Sequence, residues 1–313
     1  MTDAASTDAT TDAATVGTGF TSARSGVIDP SGPAPVVAAP AGAQLKKLGW
    51  YLFLTVLALV ILYPLYMSVM RALSDPAAYA RAGNPPWPVE AEWDVFSRAW
   101  NGGNLSAATF WSFAMSAVIT VTQVITAVLA AYAFVFLRFP FKKLLFVLFV
   151  ATLMLPLEVT FVANSLTIRQ WGWIDTLQGL VAPFLASALG TFLLRQGFLG
   201  IPNELREAAF LDGYGHFRFM TRIAVPLAAP VVASVGLLAF LSSWNQYLWP
   251  RVVTEQESHQ TLQIALKRLA AQNIQQLNVG VAGAVLAALP IFALLIVFQR
   301  AIVRGLTAGA VKG

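Results

Sequence analysis

Cysteine is missing from the whole 313-residue chain, so thiolate metal sites, iron–sulfur clusters and disulfide staples are excluded together. Charge is nearly as scarce. Only 11% of residues are charged against 57% apolar, whereas a soluble domain carries about 25% charged residues. Much of this surface therefore does not face water. No G-x-x-x-x-G-K-[ST] run occurs, so the chain has no loop to cradle nucleotide phosphates. A membrane-embedded transferase would need a cluster of His, Asp or Glu at one face, and none is found. The two histidines, His216 and His259, fall in different expected compartments and cannot share a metal or a catalytic site. No catalytic residue and no metal ligand is assigned.

What the chain has instead is length in its apolar runs. They lie at about Leu48–Met70, Phe110–Leu137, Leu144–Leu166, Leu180–Leu194, Val225–Trp249 and Val279–Phe298. A helix over the first run is about 34 Å long, enough for a hydrocarbon core of about 30 Å. The expectation is an all-α polytopic membrane protein with six transmembrane helices. Prolines 64, 156, 183, 226 and 290 lie in or near these runs, a tolerated break where neighbours satisfy the freed carbonyls. Ahead of the spans, residues 1–43 are Ala, Thr, Ser, Pro and Gly with a single aromatic, Phe20. Such a segment cannot offset its ordering entropy and reads as a disordered tail. It lacks the apolar core of a signal peptide, and Asp3, Asp8 and Asp12 come first. Residues 44–313 form the membrane domain.

Orientation follows from the bases. Thirteen Lys and Arg fall on the side of the two termini and seven on the other. The short Arg138–Lys143 loop has three bases and no acid. Both termini are therefore cytoplasmic in a multi-pass protein of the cell membrane. The net charge of +5 sits in short groups between apolar runs, which suits the lipid bilayer and its headgroups and argues against a nucleic-acid partner. Two outer loops are long, Arg71–Thr109 and Pro250–Asn278. Packing on the spans and docking of an external protein both fit them.

The cytoplasmic loop at about 200–224 reads Gly200-Ile-Pro-Asn-Glu-Leu-Arg-Glu-Ala-Ala-Phe-Leu-Asp-Gly-Tyr-Gly. Pro202 suits a helix start and Gly213 a left-handed helix end. Glu204, Glu207, Ala208 and Leu211 share one face of the helix between them. Such a face fits a groove on another protein. An amphipathic connector on lipid headgroups also fits, although its acids would meet an anionic leaflet.

Glu207-Ala208-Ala209, three residues to Gly213, nine more to Ile223 and then Ala224-Val225-Pro226 resembles the EAA signature of ABC importer permeases. The family form has Leu where this chain has Val225. Ser243–Pro250 and the basic, glycine-containing tail Arg304–Gly313 resemble the carbohydrate-type, maltose-permease-like branch. Asn245-Gln246 before Tyr247-Leu248-Trp249, with Met154–Val159, is most similar to the uptake permeases for glycerol-3-phosphate or glycerophosphodiesters. Many sugar permeases of the same branch have Asn-Asp in place of Asn245-Gln246.

The resemblance implies a subunit that carries solute rather than an enzyme. Its cytoplasmic coupling helix would dock on an ATPase through Glu207, Ala208, Ala209, Asp212 and Gly213. It further implies a second, homologous permease, two ATP-binding subunits that carry ATP and Mg, and an extracytoplasmic substrate-binding protein. This chain itself would bind no cofactor. The solute would be a small polar one, a glycerol phosphate, its diester or a sugar, moved inward by alternating access. An ion-coupled secondary transporter is the alternative, but it calls for more buried acids.

Within the spans, Glu158 is the one acid. Placing a carboxylate at a helix centre costs roughly 2.5–3.5 kcal/mol, so it faces a cavity or a partner. A pathway role and a structural hydrogen bond both fit, and Asn164 shares its face. Trp244, Asn245, Gln246 and Tyr247 lie near the outer end of the fifth run. An aromatic belt explains the rings, while amides beside rings also suit a solute rich in hydroxyls. Glu158, Asn164 and Trp244–Tyr247 are accordingly the candidate pathway residues. Arg169 and Arg251, near the outer mouth, are the nearest cations for a phosphate.

Overall fold

The computed structural model describes the backbone over residues 41–308 and the side chains over 46–156 and 159–299. Compactness divides the chain between Leu57 and Ala58. The first unit contributes the opening turns of α1 (Ala41–Leu73). This helix begins within the segment expected to be a tail, because Ala41–Lys47 already supplies good helix formers. The rest of that tail, 1–40, lies outside the described residues.

Every residue from Lys46 to Tyr66 is exposed, although the stretch is almost wholly apolar. A helix that is apolar all round belongs in lipid or in an apolar protein interior.

The segment after α1, expected as an outer loop, is folded rather than loose. It holds α2 (Pro76–Arg81) and α3 (Val95–Gly102), with Ser74 and Ala91 joined by an isolated antiparallel bridge. Asp75 caps α2 by accepting from the Ala78 N–H at 2.8 Å, and the Tyr79 hydroxyl donates to the Pro85 carbonyl at 2.9 Å. Glu92 then pairs with Arg98 and accepts from Asn278 at 3.0 Å, tying the loop to the start of the last helix. Trp87 and Trp93 remain exposed.

α4 (Leu105–Phe136) is the central post, about 48 Å long at about 1.5 Å per residue. After it come α5 (Lys142–Ala151), α6 (Leu157–Gln170), α7 (Leu177–Val181), α8 (Ala188–Leu199) and α9 (Asn203–Leu211). The chain continues through α10 (His216–Phe219), α11 (Val225–Leu227), α12 (Ala229–Trp244) and α13 (Leu248–Val253). It closes with α14 (Leu262–Gln272) and α15 (Leu277–Ala308), so the tail is helical to Ala308 and 309–313 lie outside the described residues. No strand is formed among the described residues.

Three of the expected spans, α1, α4 and α15, are single helices long and apolar enough to cross a membrane. The other three apolar runs are bent pairs of helices, broken near the prolines noted in the sequence. α5 gives way to α6 at Pro156, and the stretch Leu177–Phe184, α7 with its 3-10 end holding Pro183, meets α8 at 51° across residues 185–187. The helical stretch His216–Leu227 meets α12 at 82° across Ala228, between Pro226 and Pro230. Proline has no N–H to donate and its ring clashes with the carbonyl four residues back, so the first and third breaks sit where the ladder is already interrupted, and Pro183 lies one turn before the second.

α8 and α12 both pack along α4. Gly190 permits the close approach, since a Cβ there would lie 3.1 Å from Val235 Cγ1 and 3.3 Å from Ala127 Cβ. Three buried clusters share α4 along its length, the first joining Leu105 and Ala108 to Phe240, Trp244 and Leu262. The second joins Met115 and Ile119 to Leu180, Phe184 and Trp249, and the third joins Ala131, Tyr132 and Phe136 to Leu194, Phe198, Ala209 and Phe219.

Candidate functional site

α9 is built to project. Pro202 is its N-cap residue and Asp212 its C-cap residue. Gly213 follows at φ +78°, with its N–H donating to the Phe210 carbonyl at 3.1 Å and the Tyr214 N–H to the Ala209 carbonyl at 2.9 Å. This pair of bonds is a Schellman ending, which satisfies the last carbonyls and requires a left-handed residue. Nothing lies within 4 Å of a Cβ added at Gly213. The requirement for glycine there is one of backbone conformation, not of space.

The face expected from the sequence is the face turned out. Glu204, Glu207, Ala208 and Leu211 are all exposed, Leu211 at 89%. Asp212 and Gly213 are exposed beside them. Ala209 behaves differently from its neighbour Ala208. It is 4% exposed and packs in the cluster of Tyr132, Phe136, Phe198 and Phe219. One helical step is about 100°, so adjacent alanines face different ways. Ala209 is therefore the root of the helix and not part of its outer surface.

The loop after α9 is tied to α4. The Tyr132 hydroxyl and His216 Nδ1 lie 2.9 Å apart, and the His216 ring stands edge-on to Phe210 with centroids 5.1 Å apart. Arg218 lies over the Tyr214 ring at 4.4 Å. A cleft of about 530 Å³ opens beside α9, lined by Phe139, Arg138, Arg206, Glu207, Phe210 and His216 among others. Lys142 Nζ caps the end of α4, donating to the carbonyls of Val135 at 3.1 Å and Leu137 at 2.9 Å.

The second candidate region is the break between α12 and α13, where four successive residues diverge. Trp244 is buried and stacks on Phe240 with centroids 5.7 Å apart, its Nε1 meeting no acceptor. Asn245 is exposed and its Nδ2 donates back to the Leu241 carbonyl at 2.8 Å. Gln246 lines a cavity of about 160 Å³ between α4, α8 and α12, and its buried Oε1 has no hydrogen-bond partner among the described residues. Gln123, Ser187, Ser242 and Ser243 supply the remaining polar lining, among aliphatic side chains. The Tyr247 ring lies under Lys267 Nζ at 4.4 Å.

Asn164 is half-buried on α6, and the Glu158 side chain lies outside the described residues. Arg169, expected as a free cation, forms an ion pair with Glu255 at 2.8 Å. Gln123 and Ser187 escaped the sequence reading. A long amide inside a 32-residue apolar helix was the available signal for Gln123. Its Nε2 donates to the Phe184 carbonyl at 2.8 Å, a partner 61 residues away.

A projecting helix on one loop and a polar-lined cavity among bent helices fit a subunit that couples motion to passage. Residues 96–308 match the family of binding-protein-dependent transport system inner membrane components. The chain belongs to this family. It is a membrane permease subunit of an ABC importer, as the resemblance implied, and the ion-coupled alternative is set aside. It is 36% identical over 264 residues to the sn-glycerol-3-phosphate transport system permease protein of Yersinia enterocolitica, covering 82% of this chain and 94% of that protein. The corresponding protein of Rhizobium meliloti is 34% identical over 271 residues, covering 84% and 96%. Among solved structures, a bacterial ABC transporter involved in the import of the acidic polysaccharide alginate superposes with a TM-score of 0.69 at 23% identity, over 84% of this chain and 98% of that one. That likeness speaks for the fold alone.

Proposed function

We propose that the chain is one of two homologous permeases in an importer of glycerol phosphate or a closely related phosphoester, driven by two ATP-binding subunits and loaded by an extracytoplasmic binding protein. The observation that carries the coupling half of this reading is the outward face of α9. Glu204, Glu207, Ala208 and exposed Leu211 offer acids around small and apolar side chains, a surface for a groove rather than for solvent. The helix is fixed to the chain at its opposite face through Ala209. Closure of the ATPase pair would displace α9, and the Tyr132–Phe136 end of α4 would move with it. A stiff helix delivers that displacement to Gln123, in the middle of α4 and at the cavity that Gln246 lines. ATP and Mg act on the partner subunits, not here.

Three helices and three bent pairs supply up to 6 crossings. With six, both termini and α9 lie on the cytoplasmic side, in agreement with the excess of bases there. The substrate class is taken from the named relatives. The pathway reading of Gln246 is supported by its unpaired buried carbonyl oxygen, since leaving a buried group unpaired costs about 1–3 kcal/mol unless a ligand or water meets it.

The test is uptake of labelled sn-glycerol-3-phosphate by the complete complex in proteoliposomes with binding protein outside and ATP inside. ATP-dependent accumulation supports the reading. Accumulation without the ATPase subunits, or none with any phosphoester, overturns it.

A further inference from the structure

We infer that Lys267 is the charge on this chain that receives the phosphate of the passing solute, a reading that rests on the substrate class proposed above. The spans carry no Lys or Arg near their centres, so any compensation for an anion has to come from the mouth of the path. Of the seven outer-side bases, three are engaged in ion pairs. Arg169 pairs with Glu255, Arg268 with Glu257, and Arg98 with Glu92 and Asp94. Arg71, Arg81, Arg251 and Lys267 form none among the described residues, and of these four only Lys267 is held over a ring at the α12–α13 break. Its Nζ lies 4.4 Å from the Tyr247 ring centroid, held by the π-face of the residue that follows Gln246.

That choice of partner has a consequence. A carboxylate would neutralise the ammonium, whereas an aromatic face positions it weakly and leaves its charge unspent. Lysine binds phosphate as a point charge with three donors. Gln263 stands one turn before Lys267 on α14, and its Nε2 donates to the Trp244 carbonyl at 3.3 Å. Gln263 and Lys267, at i and i+4, therefore face the α12–α13 break together. The result is an ammonium over Tyr247 and an amide cavity at Gln246, on adjacent residues of the same break. A glycerol phosphate carries both matching parts, an anionic head and a hydroxylated stem. The polar side chains of the cavity are all uncharged, Gln123, Ser187, Ser242, Ser243 and Gln246, so it suits the stem, while Lys267 suits the head.

The experiment compares Lys267→Met, Lys267→Arg and Arg81→Met with the unaltered protein, all as complete complexes in proteoliposomes with saturating binding protein. ATP-dependent uptake of sn-glycerol-3-phosphate is read at low and high ionic strength, and copurification of all subunits reports assembly. Lys267→Met is expected to assemble and to lower uptake about tenfold, Lys267→Arg to retain at least half, and Arg81→Met, an exposed base on α2, to fall less than twofold. The difference between Lys267→Met and the unaltered protein should shrink at high salt, as expected for an exposed charge. Unchanged uptake in Lys267→Met overturns the inference while the substrate class stands. Equal loss in the Arg variant also overturns it, by showing that shape and not charge is needed. Should the unaltered complex import an uncharged sugar and no phosphoester, the substrate class and this inference fall together.

Discussion

The Tyr132 hydroxyl meets His216 Nδ1 at 2.9 Å, joining the C-terminal end of α4 to the loop that carries α9. Around this bond Phe136, Phe210 and Phe219 pack in tilted and edge-on contacts, so the loop has both an apolar seat and one oriented polar link. Apolar packing alone lets a loop slide by small amounts. A directional bond fixes its register on α4.

Tyr132→Phe keeps the ring and removes the link. A neutral hydrogen bond contributes about 0.5–1.5 kcal/mol net, so coupling should weaken about fivefold rather than vanish. The expected result is an increase in ATP hydrolysed per solute imported, with expression and membrane insertion unaltered. An unchanged ratio would mean that the aromatic seat alone carries the movement.

The two adjacent alanines of α9 should respond in opposite ways. Ala209 is at 4% exposure within a packed cluster, and an inserted Leu side chain there costs about 1–3 kcal/mol in overpacking. Ala209→Leu should lower the unfolding temperature of the detergent-solubilised protein. Ala208→Leu faces outward, so it should leave that temperature alone and weaken copurification with the ATPase subunit. Thermal unfolding and pull-down on the same two variants separate the roles.

Much of α9 is legible in the sequence because its signals are local. Pro202 at the start, Gly213 at the end and the spacing of Glu204, Glu207, Ala208 and Leu211 are read within one segment. The inward turn of Ala209 is not, because the aromatic residues that seat it come from α4, α8 and α10. The six apolar runs were visible, and so were the prolines that break three of them. The angles of those breaks depend on neighbours that refill the lost hydrogen bonds, which no local pattern records. The Gln246 cavity shows the same limit. Its lining comes from α4, α8 with the turn before it, and α12 with the break after it, and no spacing rule relates Gln123 to Ser187 or Gln246.

Gly213→Val sets a β-branched residue at φ +78°, a region that costs an L-residue roughly 1–2 kcal/mol and a branched one more. The Schellman ending should open, and α9 should lose its direction. ATP-driven uptake is expected to fall at least tenfold with reduced ATPase attachment. Gly213→Asn, which tolerates the left-handed region, should retain most of the activity. Equal loss in both would point to a need for backbone contact at Gly213 instead of its conformation.

Gln246 allows stability and passage to be pulled apart. Its buried Oε1 has no partner among the described residues, so this oxygen lends the fold no hydrogen bond from the chain. Gln246→Leu keeps similar bulk and removes the unpaired polar atom, and thermal stability should hold or rise. Uptake should nevertheless drop about tenfold, the factor for about 1.4 kcal/mol, because the solute loses an acceptor when it reaches the cavity. Gln123 is the counterpart on α4. Its Nε2 holds the Phe184 carbonyl at 2.8 Å, so Gln123→Leu removes a bond as well as a lining group and should lower stability and uptake together. The informative comparison is therefore between the two leucine variants. A stable, slow Gln246→Leu beside an unstable, slow Gln123→Leu assigns passage to the first and both passage and support to the second. Normal uptake by Gln246→Leu would move the path to other helices and leave the coupling role proposed for α9 untouched.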